Sequence, residues 1–122
     1  MPHLKLEYSG NLPMIDNHLK VLFSKLHAVL VTKAGAELAR CQGRSIRCDD
    51  FYVGDGSPNT AFVYLQVILL QGRTPLQLQE TGRELLKILQ EAFRDVLLQH
   101  NAQISVHLNE IPTDRSYKFN YP

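Results

Sequence analysis

Hydrophobic and polar residues alternate from the start of the chain: Leu4, Leu6 and Tyr8 are interleaved with His3, Lys5 and Glu7. A period of two is that of a strand with one face buried. Ser9-Gly10-Asn11-Leu12-Pro13 then reads as a turn with helix-start chemistry. The period changes after it. Ile15, Leu19, Leu22, Leu26 and Val29 recur every three or four residues, and Phe23 and Leu30 widen the stripe. Asp16, Lys20, Ser24 and Lys25 fall largely opposite, which predicts an amphipathic helix ending near Thr32 to Gly35. Residues 34–43 are less regular, with a helical turn expected over 36–40. Residues 44–53 have strand character until Gly54-Asp55-Gly56-Ser57-Pro58-Asn59 breaks it.

The second half repeats this plan. Residues 61–70, rich in β-branched and aromatic side chains, predict the strongest strand of the chain. Gln71-Gly72-Arg73 closes it. Thr74 reads as a helix N-cap, with Pro75 at the first helical position and Gln77 placed to complete a capping box. The helix so begun is expected to run to about residue 101, burying Leu78, Leu85, Leu89, Ala92, Phe93 and Val96. Gly82 lies inside it, at a cost of about 1 kcal/mol relative to Ala unless close packing requires it. Residues 103–111 alternate again, with Ile104, Val106 and Leu108 on one side. Pro112 ends that strand, and 113–122 is expected to be an extended tail. One domain, 1–122, is thus expected to hold two pseudo-repeat halves, about 1–53 and 60–111, and a tail over 112–122.

A strand-helix-strand order met twice predicts a two-layer α+β fold. Duplicated β-α-β units form one four-stranded mixed sheet with both helices on one face, and each unit runs its strands parallel through a right-handed crossover. Val63, Leu65, Val67 and Leu69 would face the helices. The other face of that strand carries Phe62, Tyr64, Gln66, Ile68 and Leu70, too apolar for water, and predicts burial against another subunit. A cyclic homotrimer would cover both that face and the open sheet edges. The alternating Tyr117, Phe119 and Tyr121 would then seat the tail on a neighbour.

Charge and composition narrow the function by exclusion. Thirteen basic residues against twelve acidic ones, with no basic run interleaved with aromatics, set nucleic acid aside. The longest apolar run, 61–70, is too short to span a bilayer. The amino terminus lacks the apolar segment of a signal peptide. A cytoplasmic protein with no membrane partner is expected. Cys41 and Cys48 match no zinc or redox spacing and are expected to be reduced thiols. The five histidines form no HxH or HExxH pair, so no metal is expected.

The candidate chemistry begins at Pro2. With Met1 removed, Pro2 would carry a free secondary amine. At the mouth of an apolar pocket beside arginines, desolvation and positive charge would disfavour its protonated form, leaving a general base near neutral pH. Equally, Pro suits the first position of a strand, where it need not donate to the ladder. If the first and third strands are antiparallel neighbours, Pro2 lies near Gly72 and Arg73. Arg73 precedes a helix amino terminus, where an anion is favoured, and its guanidinium could grip a carboxylate through two hydrogen bonds; most turn arginines are simply solvated. Arg40, Arg44 and Arg47 form a second basic group, which could instead pair with Asp49, Asp50 or Asp55.

Taken together, Met1 to Ser9, Arg44-Ser45-Ile46-Arg47-Cys48-Asp49-Asp50 with the Gly54-Asp55-Gly56 turn, Ala61-Phe62-Val63-Tyr64-Leu65, Gly72-Arg73 and Tyr117-Lys118-Phe119-Asn120 make the chain resemble 5-carboxymethyl-2-hydroxymuconate isomerases. These belong to the tautomerase superfamily that includes 4-oxalocrotonate tautomerase. The resemblance implies a homotrimer without metal or organic cofactor, acting on a dicarboxylate or tricarboxylate in aromatic-acid breakdown. It implies Pro2 as catalytic base and Arg44 and Arg73 as substrate-binding residues. One position departs from the pattern: Gln42 stands where some members have a basic residue, which leaves open which of Arg40, Arg44 and Arg47 meets substrate. Two other readings stay open, a promiscuous tautomerase for another enol acid and a trimeric binding module without catalysis.

Overall fold

In the computed structural model, which describes residues 2–13 and 16–122, the opening alternation becomes strand β1 (His3–Ser9). Leu4, Leu6 and Tyr8 point into the core, while His3, Lys5 and Glu7 are half-buried on the opposite face. The expected places of Met1, of Ile15 and of the Asp16 side chain lie outside the described residues. Helix α1 (Asp16–Ala34) follows, then a 3-10 turn (Leu38–Arg40) and strand β2 (Gln42–Cys48). The second unit is β3 (Thr60–Leu70), α2 (Pro75–Ala92), a short helix α3 (Arg94–Leu97) and β4 (Asn101–Ile111).

The four strands lie in the order β2-β1-β3-β4. β1 and β2 are parallel, as are β3 and β4, and the two units join through the antiparallel β1–β3 pair. This is the duplicated mixed sheet that the pattern predicts. Leu22, Leu26, Val29 and Leu30 of α1, with Leu85 and Leu89 of α2, share one core with Val63, Leu65, Val67 and Leu69. Burial decides the helices here, because most helical stability in proteins comes from packing an apolar face, and each fully buried leucine contributes about 1.5–3 kcal/mol. The start of α2 carries its own stop on fraying. Thr74 Oγ1 accepts from the Gln77 amide at 3.1 Å, and Gln77 Oε1 accepts from the Thr74 amide at 3.0 Å, the reciprocal capping box expected of this sequence.

Three local expectations are corrected. β2 spans 42–48 rather than 44–53, because its partner sets its length: pairing runs from His3↔Gln42 to Ser9↔Cys48 and stops where β1 stops. Phe51 leaves the strand direction and meets the Phe62 ring edge-on at 6.0 Å. The second long helix does not reach 101. It stops at Phe93, whose ring is fully buried and whose backbone leaves helical geometry, and Asn101 already pairs with Thr60. Of the stripe expected to be buried, Ala92 is exposed, and Leu78 and Val96 are only half-buried. The tail is extended from Ser116 but opens with a 3-10 turn, Thr113–Arg115.

The sheet face away from the helices is uncovered in the subunit. Along β3 it carries half-buried Phe62, Tyr64, Gln66, Ile68 and Leu70, as expected. Its flanks are polar, with Lys5 and Glu7 on β1 and His107 and Asn109 on β4. No described helix is long and apolar enough to cross a membrane.

Candidate active site

Pro2 is buried at the amino end of β1, and its carbonyl accepts from the Gln42 amide at 3.0 Å, the first rung between β1 and β2. The antiparallel register pairs His3 with Ile68, so one step further brings Pro2 level with Leu69, two residues before Gln71. The sequence-based pairing of the first and third strands is therefore the observed one. Gln71 closes β3 by donating to the Ile111 carbonyl at 2.9 Å, and Gly72 turns the chain with φ +125°, where a side chain would be strained.

Arg73 follows that turn, half-buried, and does not stand free beside the helix amino terminus. Its Nε donates to the Ala34 carbonyl at 2.9 Å and its Nη1 to the Leu70 carbonyl at 2.8 Å. Ala34 is the last residue of α1, so the guanidinium caps a helix carboxyl end, where positive charge is favoured. The nearby start of α2 is satisfied by its own capping box. Two N–H donors of Arg73 are thus committed to backbone; a guanidinium has five, and those on Nη2 have no partner among the described residues.

The three arginines around β2 separate clearly. Arg40 pairs with Glu37 at 2.9 Å and Arg47 with Asp49 at 2.9 Å. Arg44 makes no ion pair among the described residues; instead its Nη2 donates to Nδ1 of His3 at 3.1 Å. Parallel pairing sets Arg44 beside Lys5, whose own charge is taken up by Glu7 at 3.3 Å. Arg44 is therefore an uncompensated cation one strand from the end that carries Pro2. His3 is a contact that the sequence reading missed. Its place directly after Pro2, on the face away from the core, was legible, but its neighbour became identifiable only through the β1–β2 register. Burial, and next the Arg44 guanidinium, lower the His3 pKa from its ordinary value, favouring the neutral ring.

The cysteines stand apart from this group chemically. Both are free; burial raises the pKa of each thiol, and Glu7 and then Asp49 add to the rise at Cys48. Among the described residues no three His, Cys, Asp or Glu side chains gather as a metal site.

A two-layer subunit of two β-α-β halves, joined through a central antiparallel strand pair, is a tautomerase-like fold. The chain belongs to the 5-carboxymethyl-2-hydroxymuconate isomerase family, whose model matches residues 2–121, and it is an isomerase. A 5-carboxymethyl-2-hydroxymuconate isomerase from Deinococcus radiodurans R1 is similar over 98% of this chain and 90% of its own, with 29% identity and a TM-score of 0.88. A 5-carboxymethyl-2-hydroxymuconate delta-isomerase superposes over 100% of this chain and 89% of its own, at 18% identity and a TM-score of 0.80. A fused 4-OT, solved as a symmetric trimer, covers 90% of this chain and 85% of its own, at 19% identity and a TM-score of 0.70. The last two likenesses concern the fold. None of the curated proteins gives a significant match.

Proposed function

We propose that this protein is a cofactor-independent, cytoplasmic tautomerase of aromatic-acid breakdown, converting 5-carboxymethyl-2-hydroxymuconate or a closely related 2-hydroxymuconate-type dienol into its 2-oxo-enoate isomer. The observation that carries this reading is Arg44, which has no ion pair among the described residues and reaches His3, the residue directly after buried Pro2, in a chain of this family. With Met1 removed, the Pro2 nitrogen takes the proton of the dienol hydroxyl. The C–O bond becomes a carbonyl, the electron pair moves along the conjugated chain, and the same nitrogen returns the proton to carbon. No proton is lost overall. Arg44, and Arg73 through its remaining donors, hold substrate carboxylates and stabilise the dienolate charge, which in a dry site is worth several kcal/mol.

Such a site sits at a subunit boundary in this reading. The uncovered face of β3 supports assembly, as does the tail, where Tyr117, Phe119 and Tyr121 are 90%, 76% and 87% exposed on their own subunit. A homotrimer would cover all of these.

Intact-mass measurement should find Met1 absent, and blocking the Pro2 amine, by acylation or a retained Met1, should lower dienol turnover by about 100-fold or more, the usual range for loss of a general base, whereas Pro2→Ala keeps a primary amine and should lower it less. Full activity with the Pro2 amine blocked would overturn the assignment. Comparing kcat/KM for monocarboxylate and tricarboxylate enols then tests the substrate class: extra carboxylates help only if both arginines engage them.

A further inference from the structure

We propose that His3 is a positioning residue: as a neutral acceptor it fixes the Arg44 guanidinium at the mouth of the site without neutralising the charge that a substrate carboxylate needs. The inference rests on the reading of Arg44 as a carboxylate binder and asks what keeps that side chain ready.

The direction of the contact is forced. A guanidinium has only donors and keeps its proton, so His3 Nδ1, 3.1 Å from Arg44 Nη2, must be the bare nitrogen and Nε2 must carry the ring proton. A carboxylate at the same place would hold Arg44 equally well, as Glu37 holds Arg40 and Asp49 holds Arg47. It would also compete with the substrate. An imidazole spends one N–H and leaves the cation uncompensated, with the other donors of the planar fork available for a two-point grip. The surroundings serve the same end. Lys5, level with Arg44 across the β1–β2 pair, is neutralised by Glu7, so no free like charge displaces the guanidinium. Beside His3 itself, β2 presents Gln42 and β3 presents Ile68, neither of which titrates. The charged groups acting near the ring are therefore Arg44, the chain's amino-terminal amine and, two residues along, Lys5. Burial and Arg44 both favour the neutral ring that the contact requires.

The test uses the full-length, assembled protein and muconate, a dicarboxylate without the enol hydroxyl, so that binding is read apart from proton transfer. His3→Leu, which removes the acceptor at a half-buried surface position, should weaken muconate binding about tenfold. His3→Gln, a neutral acceptor, should restore it to within about threefold. His3→Glu, an acceptor that neutralises Arg44, should bind no better than His3→Leu while sedimenting as the same assembly as the wild type. In an Arg44→Gln background the His3 substitutions should have no further effect. Nitrogen NMR of the wild type should find His3 protonated on Nε2, with its pKa rising in Arg44→Gln. Muconate binding unchanged in a folded His3→Leu, or His3→Glu binding as tightly as His3→Gln, overturns the proposal. Wild-type protein that fails to bind muconate overturns both this and the carboxylate role of Arg44. If protein with its Pro2 amine blocked stays active while the His3 series behaves as stated, only the base assignment falls.

Discussion

His27 and Gly43 meet where α1 passes over β2, and the fit between them leaves a mark on the protein's pH dependence. A Cβ on Gly43 would lie 2.5 Å from a ring carbon of Phe23 and 3.1 Å from His27 Nε2, so the missing side chain is what lets the helix approach. Packed this way, His27 Nε2 is buried with no hydrogen-bond partner among the described residues. Burial lowers the pKa of the ring. The folded state thus resists the proton that the unfolded chain takes up near pH 6.5. Stability from this group is fully present above that pH and is lost as pH falls toward the folded-state pKa. His3 shifts the same way and adds to the loss. Denaturant melts at pH 7.5 and 5 should therefore show a stability drop that is smaller in His27→Leu than in the wild type. An equal drop in both proteins would remove His27 from the explanation.

At the scale of elements, α2 shows a residue tolerated rather than required. Gly82 sits in its middle, and a Cβ there would meet only Leu108 Cδ1, at an ordinary 3.5 Å. Close packing does not demand the glycine in the subunit, so Gly82→Ala should stabilise it by about 0.5–1 kcal/mol. Thermal or denaturant unfolding measures this, and a loss of stability would mean that the groove between α2 and β4 is filled more tightly than the subunit shows. The two parallel pairs obey a common rule. β2 is seven residues long, as β1 is, and β4 is eleven, as β3 is. Each outer strand forms for as long as its inner partner offers hydrogen-bonding groups. That rule, rather than local propensity, truncates the strand expected over 44–53, takes residue 101 out of the expected helix and starts β4 two residues before the expected 103.

For the whole molecule the proposed trimer makes the sharpest demand. Ile68 lies on the uncovered face of β3, opposite His3, and is half-buried by its neighbours alone. A charge there would be solvated in a free subunit and desolvated at an interface. Ile68→Glu should therefore dissociate the protein in sedimentation experiments and abolish activity with the assembly. Deletion of 113–122 should weaken association while leaving the subunit folded, because its three aromatic side chains are exposed and their contacts, Phe119 on Tyr121 and Tyr117 to the Asp114 carbonyl, stay within the tail. A stable, active monomer of the full-length protein would overturn both expectations.

The sequence by itself determined which residues face the core. Period two in β1 and β3 and period 3.6 in α1 and α2 select Leu4, Leu6, Leu26, Val63, Leu65, Leu85 and Leu89, because burial of one face is what makes each element stable at all. It also determined the capping box at Thr74, a contact closed within four residues. Tertiary structure alone decided where β2 and α2 end, since a strand's length belongs to its partner and Phe93 left its helix to fill the core. It alone distinguished Arg44 from Arg40 and Arg47, three cations that look alike in sequence and differ only in the acceptor each one meets. It turned Arg73 toward the end of α1, 39 residues away in the chain. Local periodicity records what a residue must hide from water; which neighbour it meets is a property of the register, and register exists only once the sheet has formed.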